Sequence, residues 1–362
     1  MPGNRGILRT RRGLQVLLAA ACLPVLAGCG ASVQANRDLF AMDAICMLQA
    51  YGPGARESLD RVAARIVELE EALTSRRPDS GFAAVSQAAG TAPAVLTDDQ
   101  SRVLEAALSV AALSDGALDP TIGPLSTLWG IGTGREAIPD EAALDAAREL
   151  VDWRALELVP ADPDTGDPAT ARLPKAGMAL DLGAVAKGYV SGEAIRMLRA
   201  DGIHGALLSL GGNVATFGTK PDGSRFRIGL RDPDGEDTDY LAILDAPGEA
   251  WYIVVSGDYE RYFVRDGVRY HHLLSPDTGF PARTGLRAVA VVAGDGALAD
   301  ALSTALFVLG LDRGLALWRE AGGFEAVFVT DDRRLVATSG LRPSFRFLGK
   351  EGYRLIWEEP AP

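Results

Sequence analysis

At 362 residues, 48% of them apolar, the chain can bury a sizeable core as one large domain or two intimate subdomains. Its formal net charge of −12 excludes the basic footprint that nucleic-acid binding needs, so no nucleic-acid partner is expected.

In chain order, residues 1–28 read as a targeting segment. Arg5, Arg9, Arg11 and Arg12 form a basic start, and Gly13 to Ala27 an apolar run shorter than the ~20 residues a membrane span needs. The run ends in Leu26-Ala27-Gly28-Cys29, which looks like a bacterial lipobox, the pattern in which Cys29 becomes the lipid-bearing first residue. Losing those four arginines takes the charge from −12 to −16, so an acyl chain rather than charge would hold the protein at an anionic membrane. Cys22 would leave with the signal and Cys29 would be acylated, so Cys46 has no partner for an internal disulfide.

Residues 29–38 are expected to be a lipidated tether, 39–350 the globular domain and 351–362 a tail. Leu39 to Tyr51 reads as a first strand. Leu59, Val62, Ile66, Leu69 and Leu73 recur at helical spacing, which predicts an amphipathic helix over Ala55–Leu73. Asp98 or Asp99 can cap a second helix, and a third is expected from Asp140 to Val151. Met178–Leu182 should lead as a strand into a helix from about Val185 to Ala200. Strands are expected at Ala206–Leu210 and Val214–Phe217 around Gly211-Gly212-Asn213, then at Trp251–Ser256, Arg261–Val264, Arg269–Leu274 and Ala288–Ala293. A buried helix over 297–309 and another over 312–321 precede terminal strands. Helices and strands mix without strict alternation, which favours α+β: mixed, mainly antiparallel sheets with packed helices.

Four segments could carry chemistry. Asp300 is a lone carboxylate inside an otherwise uncharged apolar helix, and Thr304 lies one turn further on the same face. Carboxylate plus hydroxyl suits a hard cation such as Mg²⁺, whereas the bland use is a loop cap and a bond back to the helix. Asp181-Leu182-Gly183-Ala184-Val185-Ala186-Lys187-Gly188-Tyr189 can leave backbone donors and Lys187 at a helix N-terminus, where phosphate is favoured; it fits a capped strand–helix junction equally well. Gly116 to Leu125 packs turn formers around Asp119 and Thr121. His271 and His272 are adjacent, so in a strand only one of them can face a given site. No P-loop or serine-nucleophile elbow occurs, and the histidines are too few for a zinc site.

Together these segments resemble the FAD:protein FMN transferase family, often called the ApbE family. Matching stretches are Met42-Asp43, Gly116 to Leu125 with Trp129, Asp181 to Tyr189, Leu210 to Asn213, Ser256 to Tyr262, His272 to Pro281, and Ala299 to Gly310. The resemblance implies FAD as substrate, a pyrophosphate split with Mg²⁺, and FMN passed to a threonine or serine hydroxyl of a partner with release of AMP. It implies Asp300, Thr304 and the Ala184 carbonyl as Mg²⁺ ligands. Met42, Ala117, Leu118, Asp119, Asp181, Lys187 and His272 would contact the flavin nucleotide. His272 or a carboxylate near the metal, Asp300 included, would take the acceptor's proton. The implied acceptors are exported flavoproteins such as redox-complex subunits, and the implied location is the periplasmic side of the bacterial cell membrane, through Cys29. One departure is Ser86, at a position where relatives often carry Asn within a Ser-x-x-Ser-x-x-Asn segment. It keeps open a plain FAD pyrophosphatase giving FMN and AMP; a flavin-binding lipoprotein without catalysis is the third reading.

Overall fold

A nine-stranded sheet, its strands in simple chain order, forms the centre of the computed structural model. The structure describes residues 34–75, 77, 81–236, 238–350 and 352–360. The sheet runs Gln34–Ala41, Ala44–Tyr51, Gly205–Leu210, Asn213–Gly218, Trp251–Gly257, Leu286–Ala293, Phe324–Thr330, Arg334–Thr338 and Arg354–Glu358. Neighbours are antiparallel except the last pair, which is parallel. The helices are α1 (Ala55–Leu73), α2 (Ala83–Gln87), α3 (Asp98–Leu113), α4 (Gly123–Trp129), α5 (Glu141–Arg148), α6 (Ala186–Ala200) and α7 (Gly296–Ala321).

Strand periodicity explains why the sheet lies in the middle. Along Leu286–Ala293, Val289, Val291 and Ala293 enter the core beneath the helices, while Ala288, Ala290 and Val292 enter a second core on the other face. A strand covered on both sides can be apolar at every position, as this one nearly is. The second face is closed by a small antiparallel sheet of Arg227–Arg231, Tyr240–Asp245 and Phe345–Phe347. The fold is thus α+β with mostly antiparallel sheets. Ser32–Pro362 forms one unit rather than two subdomains.

Helix α7 carries both expected C-terminal helices, joined across a kink at Gly310 (φ 80°, ψ 179°). Thr284 Oγ1 donates to the Phe307 carbonyl at 3.0 Å, satisfying a carbonyl in the turn before the kink. Although α7 is long and apolar enough to cross a bilayer, its first turns are buried against sheet and helices.

Several expectations need correction. Leu39–Tyr51 is not one strand but lies within a hairpin, turned by Met42 (φ 55°) and Asp43 (φ 57°). Both residues take the left-handed backbone of a two-residue turn without the usual glycine signal. Gln34–Asp38, expected in the tether, is already strand, and Arg354–Glu358, expected in the tail, is the sheet's last strand. Thr97, not Asp98 or Asp99, caps α3, exchanging bonds with Gln100 in a capping box. Met178–Leu182 belongs to no sheet. It runs extended along the 119–123 loop, bridged at Ile122 and Ala179, with Asp181 N donating to the Pro120 carbonyl at 2.9 Å. The signal segment and Cys29 lie outside the described residues.

Candidate active site

The site is built where α6 crosses α7. A Cβ on Gly188 would lie 2.0 Å from the Gly296 carbonyl oxygen and 2.6 Å from Asp300 Cβ; one on Gly296 would lie 2.2 Å from the Gly188 carbonyl oxygen. Only paired glycines allow the helices this close. The approach lets Gly188 N donate to Asp300 Oδ2 at 2.8 Å. In a regular helix that amide would go to the carbonyl of Ala184. Here the Ala184 carbonyl receives no backbone amide among the described residues.

Asp300 is only 4% exposed, yet it lines a cleft of about 1070 Å³ together with Thr304, Ala184 and Lys187. Thr304 Oγ1 lies 3.2 Å from Ser256 Oγ, which lies 2.8 Å from Ser303 Oγ. A carboxylate, a hydroxyl and a carbonyl without a backbone amide donor among the described residues therefore line the same cleft. No cluster of three His, Cys, Asp or Glu side chains exists among the described residues, so the site offers hard oxygen donors rather than nitrogen or sulfur. Lys187, in the first turn of α6, reaches only the Gly183 carbonyl, at 3.4 Å, and forms no ion pair among the described residues.

Two loops close one side. Asp119 is buried and lines the cleft, but its oxygens are spent: Oδ1 accepts from Thr121 N and Oγ1, both at 2.7 Å, and Oδ2 from Trp153 N at 3.1 Å. Burial pushes its pKa above the usual carboxylate range. Asp181 Oδ1 accepts from Gly183 N at 3.0 Å, shaping the turn into α6. Ser86 Oγ accepts from Leu180 N at 3.0 Å and donates to the Phe82 carbonyl at 3.3 Å, so it braces the same turn. Ala117 and Leu118 also line the cleft. Met42 does not: it packs at the margin of the core, its amide held by Glu70 Oε1 at 2.9 Å, and its neighbour Asp43 takes the place at the cleft wall.

The histidines divide as their adjacency requires. His271 is buried, Nε2 donating to the Ala282 carbonyl (3.0 Å) and Nδ1 accepting from Leu273 N (3.3 Å). His272 lines the cleft, with Nδ1 3.2 Å from the Arg261 carbonyl. A carbonyl can only accept, so Nδ1 carries the proton and Nε2 the lone pair. Burial, with Arg261 adding to it, drives the His272 pKa down to about 3, so the ring is neutral at physiological pH.

The model of the ApbE family matches residues 42–328. The chain belongs to that family. It is 39% identical over 316 residues to the FAD:protein FMN transferase of Treponema pallidum, covering 84% of this chain and 86% of the relative. The Klebsiella pneumoniae enzyme of the same name is 34% identical, covering 82% and 90%. Among solved structures, the flavin transferase ApbE of Vibrio cholerae matches with a TM-score of 0.75 at 26% identity, covering 86% of this chain and 99% of its own. The apo flavinyl transferase ApbE of Pseudomonas stutzeri matches at 0.70 and 32%, covering 83% and 92%.

Further residues of this ApbE-family cleft had no role assigned from sequence. Ser256 belongs to the hydroxyl cluster, and Arg135 and Arg261 bring two more cations to the cleft wall. Tyr259 lines it beneath Arg231, whose guanidinium lies 4.5 Å from the ring centroid. Arginines in loops give no periodic signal, and only proximity in the fold collects them.

Proposed function

We propose that this chain binds FAD in the cleft and, with Mg²⁺, transfers FMN to a threonine or serine hydroxyl of a partner protein. The hydroxyl oxygen bonds to the FMN phosphorus, the pyrophosphate bond breaks, and AMP leaves. The observation that carries the reading is the oxygen set of Asp300, Thr304 and the Ala184 carbonyl beside Lys187, all lining one cleft. That donor set fits Mg²⁺, which is held by one or two carboxylates together with substrate phosphates. When bound, the ion would neutralise charge on the pyrophosphate.

The chain's own groups supply the rest. Lys187 places a positive charge at the N-terminus of α6, where phosphate oxygens are favoured. Asp300 is fixed by Gly188 N, so its position does not depend on the ligand. The acceptor's proton passes to His272, neutral with its lone pair at Nε2 but a weak base at so depressed a pKa, or to the Asp300 carboxylate. Ser86 has both its bonds inside the fold, so it offers no reason to favour hydrolysis over transfer.

Export fits the same reading. A lipid on Cys29 would hold the protein at the periplasmic side of the membrane. Acceptors would then be exported flavoproteins, such as redox-complex subunits.

The test uses the chain from Ala31 onward with FAD and Mg²⁺, with and without a periplasmic flavoprotein acceptor. AMP matched by flavin fixed covalently to the acceptor is the expected result. AMP with equal free FMN regardless of acceptor would make the protein a pyrophosphatase, and FAD held without any metal-dependent product would make it a binding protein. Asp300→Ala should abolish turnover while leaving the fold intact.

A further inference from the structure

Asn213 starts the strand that follows the Gly211-Gly212 turn. It is 3% exposed and lines the cleft. Its Nδ2 is buried without a hydrogen-bond partner, one of three such side-chain atoms among the described residues. Buried amide donors are nearly always satisfied, so one left over at a cleft wall points to a ligand.

Its place in the sheet indicates what kind of ligand group it meets. Asn213 pairs with Leu210, and Leu210 on its other side pairs with Cys46. Leu210, Cys46 and Ala215 all belong to the core beneath the helices, so this face of the sheet looks toward α6 and α7. Ser256, also at the cleft wall, reaches from the sheet to Thr304 on α7. Asn213 therefore lines the same cleft as Lys187 and Asp300, on the sheet face that looks toward α6 and α7.

We propose that Asn213 is a substrate-contacting residue whose Nδ2 donates to a phosphoryl oxygen of the bound flavin nucleotide. This rests on the FAD reading above and adds a neutral donor to the cleft that Lys187 also lines. A neutral amide can orient the phosphates without the strong, undirected attraction of a second ammonium. Replacing it with a carboxylate of the same shape puts negative charge against the phosphates.

Flavin fluorescence titrations of the whole chain, in EDTA so that FAD is not turned over, test this with FAD, FMN and riboflavin. Asn213→Asp should weaken FAD and FMN at least tenfold and leave riboflavin, which lacks phosphate, within twofold. Asn213→Ala should weaken FAD and FMN about tenfold without lowering the thermal midpoint, because the side-chain amide donor has no partner inside the protein to lose. Equal losses for riboflavin and FMN would overturn the phosphate assignment. Wild-type FAD affinity retained in both variants would overturn the contact itself. Failure of the wild-type chain to bind FAD would instead sink the functional reading on which this one stands.

Discussion

Substituting Gly188 by alanine tests the helix crossing that builds the site. The added Cβ would lie 2.0 Å from the Gly296 carbonyl oxygen, against a closest ordinary C···O contact of about 3.3 Å. The crossing must therefore open by roughly 1.3 Å in that direction. The obstructing atoms are backbone and the Cβ of Asp300, so no flexible side chain can swing away. Overpacking in a core costs about 1–3 kcal/mol, and an obstacle of backbone belongs at the upper end, about 3 kcal/mol. The function should suffer more than the fold. Opening the crossing lengthens the Gly188 N to Asp300 bond and moves Asp300 away from Thr304's neighbours and Ala184, and a shift of about 1 Å in a catalytic group can cost ~10²-fold in rate. Gly192, one turn along the same helix, is the control. A Cβ there meets nothing closer than Tyr252 Oη at 3.9 Å, so Gly192→Ala should stabilise by about 0.5–1 kcal/mol through helix propensity. Both variants are read by urea midpoint and by AMP release with FAD, Mg²⁺ and acceptor. A Gly188→Ala protein with an unchanged midpoint and activity within twofold of wild type would refute the close-crossing argument.

His272 predicts a pH effect whose sign follows from its depressed pKa of about 3 in the folded chain against about 6.5 unfolded. Between those values only the unfolded chain binds the proton, so the group's contribution is present above pH 6.5 and shrinks as pH falls. His272→Asn, which keeps a donor for the Arg261 carbonyl, should make stability fall about 2 kcal/mol less than wild type between pH 6.5 and 4.5. Parallel urea-midpoint profiles for the two proteins would contradict that. Trp129 is fully buried, donates from Nε1 to the Gly279 carbonyl at 2.7 Å, and stacks on Tyr270 at 5.6 Å. Trp129→Phe should lose about 2–4 kcal/mol through the cavity and the unpaired carbonyl, seen as a lower guanidinium midpoint. A loss below 0.5 kcal/mol would show that the loop carrying Gly279 is not held there. Thr304→Val keeps the shape and removes the hydroxyl, so AMP release should need more Mg²⁺ for half-maximal rate while the thermal midpoint stays near wild type. An unchanged Mg²⁺ requirement would remove Thr304 from the metal wall.

The legible parts of the fold were those whose cause is local. Helix α1 begins and ends where its 3.6-residue apolar spacing does, because burial of one face is what makes it a helix. The left-handed backbone of Met42 and Asp43 was not legible: neither residue is a glycine, and the hairpin exists because both of its strands have partners to bury against. The Arg354–Glu358 strand pairs in parallel with Arg334–Thr338, a register set by tertiary contact and invisible to a local pattern.

The site shows the same division at the level of single atoms. Asp300 stood out because an apolar helix has no local use for a carboxylate, and the structure gives it Gly188 N as a partner and a face on the cleft. Asp119 has the residue type of a binding group, but its bonds to Thr121 and Trp153 make it the keystone of its own loop. Only the ledger of donors and acceptors separates the two, and it requires coordinates. The same ledger makes Gly188 more than a helix glycine. By giving its amide to Asp300 it withholds that amide from Ala184, so one hydrogen bond both fixes the carboxylate and frees the carbonyl beside it. The donor set at this wall is therefore a consequence of how closely two helices pass, and any substitution that separates them should dismantle it without touching a ligand.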